Sequence, residues 1–263
     1  MRLKKSLGQH ILVAAPTAEK IVRTLSPSKD DVVLEIGPGR GALTKHISKI
    51  AGRVIAIEKD LEMIERLESL NLENLEIIHA DFLKCDLNSV LTRVLAYERA
   101  RVLFCGNLPY NISTPILFKL KENAKLFSRG IIMIQREVAE RLVAKPGTKD
   151  YGVLSIMIQV AARMKKCFNV SAKSFFPPPK VTSAVVEMDF SDPPPYKVDD
   201  PSAFAYVVKS TFKTRRKMIR NSIPKEYLPA LEKAGIAPTR RPETLSIDEF
   251  IAIVAGDAGG LRA

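Results

Sequence analysis

The chain has 263 residues, 46% hydrophobic and 27% charged, the balance of a folded globule long enough to bury a sizeable core. Lys and Arg number 41 against 29 acids, a formal charge of +12, which suits a polyanionic partner whose counterions are released on binding. The apolar stretches Gly130–Ile134 and Val153–Ile158 fall far short of the ~20 residues that span a bilayer, Met1–Leu7 leads into no apolar secretory core, and the three cysteines and three histidines are scattered. A membrane protein, a disulfide scaffold and a metal centre are thereby excluded, leaving a cytoplasmic, metal-free monomer as the expectation.

In chain order, Ala18, Ile21, Val22 and Leu25 share one face of a helix, and Val32–Ile36 is a short apolar strand ending in glycine. Leu43, Ile47 and Ile50 repeat at helical spacing before a second strand at Val54–Ile57. A stripe of Leu61, Ile64 and Leu67 precedes a third strand at Leu75–Ile78, and Leu87, Val90, Leu91 and Val94 precede a fourth at Val102–Cys105. Ile116, Leu117 and Leu120 then lead to a fifth strand at Ile131–Ile134. Such alternation predicts an α/β, Rossmann-like parallel sheet with helices on both faces, and ligands on such sheets bind beyond the carboxyl ends of the strands. Tyr151–Ala162 is long enough for a helix, and Ala184–Phe190 alternates as a late strand. Ser191–Pro195 has the composition of a linker, which divides the chain into a domain of 1–190 and a helical domain of 191–263.

The segments that follow the strands carry the chemistry. Glu35-Ile36-Gly37-Pro38-Gly39-Arg40-Gly41 lets backbone approach a ligand, but its spacing is neither that of a dinucleotide fingerprint nor that of a P-loop. Taken alone, this loop is also explained by a tight strand-to-helix turn. Glu58, ending the second strand, can accept the hydroxyls of a ribose; Asp81, after the third, can accept an adenine amino proton, with Phe82 flanking the ring. A nucleoside without a phosphate grip favours S-adenosylmethionine over NAD. After the fourth strand comes Asn107-Leu108-Pro109-Tyr110. The Asn107 side-chain oxygen and the Leu108 carbonyl can take both N–H bonds of an exocyclic amine, directing its lone pair at a methyl donor. Pro109 stiffens the loop and Tyr110 offers a face to a base, although a simple turn would use the same residue types.

Gly8–Leu12, Glu35–Gly41, Asn107–Tyr110 and Phe175–Ser183 together resemble the rRNA adenine dimethyltransferases, over nearly the whole chain from Leu3 to about Leu245. That resemblance implies a seven-stranded class I methyltransferase sheet with a small helical C-terminal domain, and S-adenosylmethionine as cofactor. It further implies that His10 and Leu12 line the cofactor entrance, Gly37 lies by the methionine part, Glu58 holds the ribose and Asp81 the adenine. Asn107 would face the methyl-transfer region; His10 stands where the family often carries asparagine. The stretch Phe175-x-Pro-x-Pro-Lys-Val-x-Ser matches the family's target-base loop, in which Phe175 stacks on a splayed adenine; two phenylalanines plugging the core beside a polyproline turn are the plainer alternative, above all for Phe176. From Lys209 to Arg220 the chain is basic with no acid, and Arg215, Arg216, Lys217 and Arg220 are candidate RNA contacts on a helix; a solvated helix face is the plainer alternative. Arg241–Leu245 also resembles the small-subunit branch of the family. The implied substrate is thus two adjacent adenosines near the 3′ end of small-subunit rRNA, within the small ribosomal subunit or its precursor, in the course of subunit biogenesis. Two rivals stand beside it: a large-subunit rRNA or DNA adenine methyltransferase, and a non-catalytic assembly or transcription factor on the same fold.

Overall fold

A computed structural model describes residues 10–95, 101–191 and 193–257. They fall into two compact units, one drawn from residues 1–139 and 163–192, the other from 140–162 and 193–263.

The first unit begins with a two-residue strand, β1 (Ile11–Leu12), and the helix α1 (Ala15–Leu25), whose Ala18, Ile21, Val22 and Leu25 are buried as their spacing predicts. Pro16 sits in its first turn, where a missing N–H costs nothing. Next come β2 (Asp31–Ile36), the single-turn α2 (Thr44–Ile47), β3 (Arg53–Glu58), α3 (Leu61–Glu68) and β4 (Leu75–His79). They are followed by α4 (Leu87–Leu95), β5 (Arg101–Asn107), α5 (Ser113–Glu122), β6 (Arg129–Gln135) and α6 (Arg136–Leu142). The apolar stripes are buried or half-buried except for Leu61, in the first turn of α3, and Ile50, which lie exposed; the side chain of Val94 lies outside the described residues. Beyond α7 (Val153–Gln159) the chain returns as β7 (Arg163–Val170), β8 (Phe175–Phe176) and β9 (Ser183–Asp189).

Seven of these strands form one sheet in the order β4-β3-β2-β5-β6-β9-β7. β2 to β6 run parallel, and β9 inserts antiparallel between β6 and β7. Every residue of β2 is buried, as a central parallel strand covered on both faces requires. One face packs Val33, Leu103, Cys105, Ile131 and Val185 against Ile21, Val22 and Leu25 of α1; Cys105 is the small core residue its apolar surroundings predict. The chain's first sheet strand, β2, lies between β3 and β5, so successive crossovers leave it in opposite directions. That reversal opens a crevice at the carboxyl ends of the strands.

In the second unit, α8 (Pro201–Phe212) is capped by Asp200, whose carboxylate accepts the N–H groups of Ser202 and Ala203. It is joined by α9 (Leu228–Lys233) and α10 (Ile247–Asp257). Ser246 and Glu249 form a reciprocal capping box at the start of α10. This unit also takes in residues 140–162, ahead of its main segment from 193. Tyr151 explains it: fully buried, its ring meets Phe212 edge-on at 6.5 Å.

Candidate functional site

A cavity of about 280 Å³ lies at the carboxyl ends of β2, β3, β4 and β5, entirely within the first unit. It is lined by His10, Leu12, Gly37, Glu58, Asp81, Asn107, Leu108, Pro109 and Tyr110, and so gathers residues that are 100 positions apart.

The glycine loop after β2 forms the floor. Gly37 and Gly39 take φ values of +62° and +56°, which L side chains rarely adopt. All three loop glycine N–H groups are engaged within the protein: Gly37 donates to the Ile57 carbonyl, Gly39 to Glu58 Oε2 and Gly41 to the Pro38 carbonyl, each at 3.0 Å. The loop therefore offers no nest of N–H groups to a pyrophosphate, unlike a dinucleotide site.

Two carboxylates stand in the walls of the cavity. Glu58, buried at the end of β3, accepts from Gly39 on one oxygen and from the Lys59 and Asp60 N–H groups on the other, at 2.8 and 2.9 Å. With roughly four lone-pair sites on a carboxylate, a ribose hydroxyl meets the one remaining or displaces Gly39. Asp81 accepts from Lys59 Nζ and from the Leu83 N–H, both at 3.0 Å. The Lys59 ammonium beside it holds its carboxyl below the usual range. Phe82 is buried in the same wall, and the Lys119 ammonium lies 5.7 Å from its ring centroid. Lys119 also donates to the Leu83 and Cys85 carbonyls, tying α5 to the loop after β4.

Asn107 sits where β5 ends. Its Nδ2 donates to the His10 carbonyl at 2.8 Å. A carbonyl can only accept, so this bond fixes the amide's orientation and leaves Oδ1 as an acceptor for a substrate amine. His10 in turn bonds through Nδ1 to the Pro177 carbonyl at 2.9 Å, and its ring lies 5.3 Å from that of Tyr110. Tyr110 is anchored by a 2.6 Å hydroxyl contact with Ser183, and burial pushes its phenol up. Beneath the loop, Glu35 is fully buried and accepts from the Thr44 hydroxyl at 2.7 Å. Burial lifts its carboxyl to about 7, the Thr44 bond opposing and the Glu58 charge assisting the rise.

The profile of the Ribosomal RNA adenine dimethylase family matches residues 1–256. The chain belongs to the ribosomal RNA adenine dimethylase family. It is 40% identical to the Ribosomal RNA small subunit methyltransferase A of Geobacter metallireducens, over 96% of this chain and 94% of that one. A dimethyladenosine transferase from Plasmodium falciparum superposes with a TM-score of 0.79 at 26% identity, covering 93% of this chain and 96% of the other. The fold is shared with the 23S rRNA methyltransferase ErmE, at a TM-score of 0.69 and 23% identity, over 94% and 98% of the two chains.

Within this dimethylase, the burial of the two β8 phenylalanines differs from the expectation for Phe176. Phe175 is buried, paired with Leu12 and packed in the core with Val170 and Val185, whereas Phe176 is 59% exposed. Successive strand residues face opposite ways, and a two-residue strand is too short for its sequence to show which side chain is buried. The basic stretch also differs from expectation. α8 ends at Phe212, so Arg215, Arg216 and Lys217 lie on the turns that follow and Arg220 in a short 3-10 turn. Arg216, Lys217 and Arg220 are exposed, while Arg215 donates to the Lys149 carbonyl at 3.0 Å. Gly8 and Gln9, part of the first family motif, lie outside the described residues. Sequence reasoning gave no role to Lys59, Lys119 or Ser183, because each acts through a partner 22 to 73 positions away. Among the described residues no cluster of His, Cys, Asp or Glu could hold a metal, and no helix is long and apolar enough to cross a membrane.

Proposed function

We propose that the protein dimethylates the exocyclic amines of two adjacent adenosines in a hairpin loop near the 3′ end of small-subunit rRNA. The substrate would be the small ribosomal subunit or its precursor, and the methyl donor S-adenosylmethionine. Family membership supports the reaction class, and the name of the Geobacter relative supports the small subunit. The likeness to ErmE, at 23% identity, carries fold alone and gives the large-subunit alternative no comparable support.

The cavity fits the donor. Its glycine N–H groups are internally engaged, and its carboxylates lie at the ends of successive strands. Glu58 would hold the ribose, Asp81 the adenine ring, and Gly37 would lie beside the methionine part, with His10 and Leu12 at the entrance. When bound, the donor supplies an electrophilic methyl on a sulfonium.

The observation that carries the mechanism is the bond from Asn107 Nδ2 to the His10 carbonyl. The adenine amine is a poor nucleophile because its lone pair is delocalised into the ring. Asn107 Oδ1 and the Leu108 carbonyl accept its two N–H bonds, favour a pyramidal nitrogen and aim the lone pair. A group held in place before the reaction stabilises the transition state without reorganising during it. Tyr110, fixed through Ser183, walls the base side. The proton then leaves a positively charged nitrogen, so no strong general base is required. Single-turnover methylation of unmethylated small subunits by Asn107→Ala tests the assignment. A large rate loss with a folded protein is expected, and parent-like turnover would refute it.

A further inference from the structure

Glu58 and Asp81, the two acids in the cavity wall, are joined by a single residue. The Lys59 N–H donates to Glu58 Oε1 at 2.8 Å, and the Lys59 ammonium donates to Asp81 Oδ2 at 3.0 Å. β3 and β4 pair through Glu58 and His79, and the Ala80 N–H donates to the Glu58 carbonyl at 3.0 Å, so the two loops leave the sheet side by side. Lys59 lines the cavity, and its stem runs from one acid to the other.

Asp81 is fixed from both sides. Its Oδ1 accepts from the Leu83 N–H at 3.0 Å while Oδ2 accepts from Lys59, which sets the plane of the carboxylate and leaves lone pairs for a ligand. The ion pair is open to water, with 59% of the Lys59 side chain and 23% of the Asp81 side chain exposed. A pair so exposed adds little to folding stability. Its effect falls on Asp81 itself, whose carboxyl the Lys59 hydrogen bond keeps below the usual range.

We propose that Lys59 is a positioning residue for the cofactor's adenine: its ammonium holds Asp81 turned as an acceptor for the exocyclic amine, and its stem covers the base. This rests on the reading above, in which Glu58 takes the ribose and Asp81 the adenine. A base whose ribose sits at Glu58 and whose amine reaches Asp81 lies along the span that the stem crosses. Lysine methylenes pack on apolar surface while the charged head stays in water. The consequence is a choice between nucleosides. Adenine presents an N–H donor where hypoxanthine presents a carbonyl oxygen. A carboxylate that cannot turn meets that oxygen with its own lone pairs and rejects it. Without Lys59, Asp81 is free to turn and accept from the ring N–H of hypoxanthine, so the rejection weakens.

The full-length protein and its Lys59→Met and Lys59→Arg variants would be titrated by calorimetry, without RNA, with S-adenosyl-L-homocysteine and with S-inosyl-L-homocysteine. The parent should bind the adenosyl compound on the order of 10²-fold more tightly, less than a fully buried site achieves because Asp81 is partly exposed. Lys59→Met keeps the stem and removes the ammonium. It should lose about 10-fold in adenosyl affinity, keep its inosyl affinity and leave Tm unchanged, so that the ratio narrows about 10-fold. Lys59→Arg, which keeps the cation, should return the parent ratio. A parent-like ratio in Lys59→Met, including equal losses for the two compounds, would overturn the inference alone. A parent protein that binds neither compound, or both equally, would overturn the assignment of Asp81 to adenine and this inference with it.

Discussion

Asn107 can offer its oxygen to an amine only because its nitrogen is committed to the His10 carbonyl. Asn107→Ala removes one preorganised acceptor, and a fall on the order of 10²–10³ in single-turnover rate is expected. Glu35 illustrates a different cost. Its carboxyl titrates at about 7 when folded, against an ordinary value of 4.5. Between those two values the native state holds a proton that the unfolded chain has released. Its contribution to stability is therefore full below pH 4.5 and is lost as pH rises through about 7. Glu35→Gln keeps an acceptor for the Thr44 hydroxyl and removes the buried charge. It should be more stable than the parent at pH 8.5, by on the order of 2 kcal/mol, and no more stable at pH 4.5. Thermal unfolding without cofactor at the two pH values checks this, and an equal gain at both would contradict it.

At the scale of elements, β8 makes the most direct prediction. Phe175→Ala empties a core position and should cost about 3–5 kcal/mol of stability, seen as a lowered Tm, while exposed Phe176→Ala leaves Tm nearly unchanged. Equal Tm losses in the two variants would contradict the assignment of faces. How far each element was legible follows from its surroundings. β2, β3, β5, β6 and β9 are inner strands whose residues are mostly buried, and half-buried β4 at one edge is still apolar, so their positions could be read directly from the sequence. β7 could not: as the sheet's edge it carries Arg163, Lys165 and Lys166, charges that protect an unpaired strand and conceal its alternation. Lys20 lies 4.1 Å from the Phe168 ring centroid on that strand, a further pairing no local pattern announces. The site was legible as a set of acids at strand ends. Their prior partners were not, since the N–H groups on Glu58 and Asp81 come from turns whose geometry the fold decides.

For the molecule as a whole, the formal charge of +12 is the property that distant phosphates meet first. Arg216, Lys217 and Arg220 are exposed on the turns after α8, whereas Arg215 is engaged with the Lys149 carbonyl. If the three exposed cations grip RNA backbone, changing them together to Ala should flatten the log–log salt dependence of RNA binding by about 2–3 in slope. An unchanged slope would make them an ordinary solvated surface. The central claim concerns the reaction itself and is tested most directly on its natural scale, the ribosomal particle. The protein would be incubated with methyl-labelled S-adenosylmethionine and either unmethylated small subunits or large subunits, and the labelled nucleosides mapped. The account predicts N6,N6-dimethyladenosine at two adjacent positions near the 3′ end of small-subunit rRNA. Label on large-subunit rRNA, or none on either particle, would contradict it.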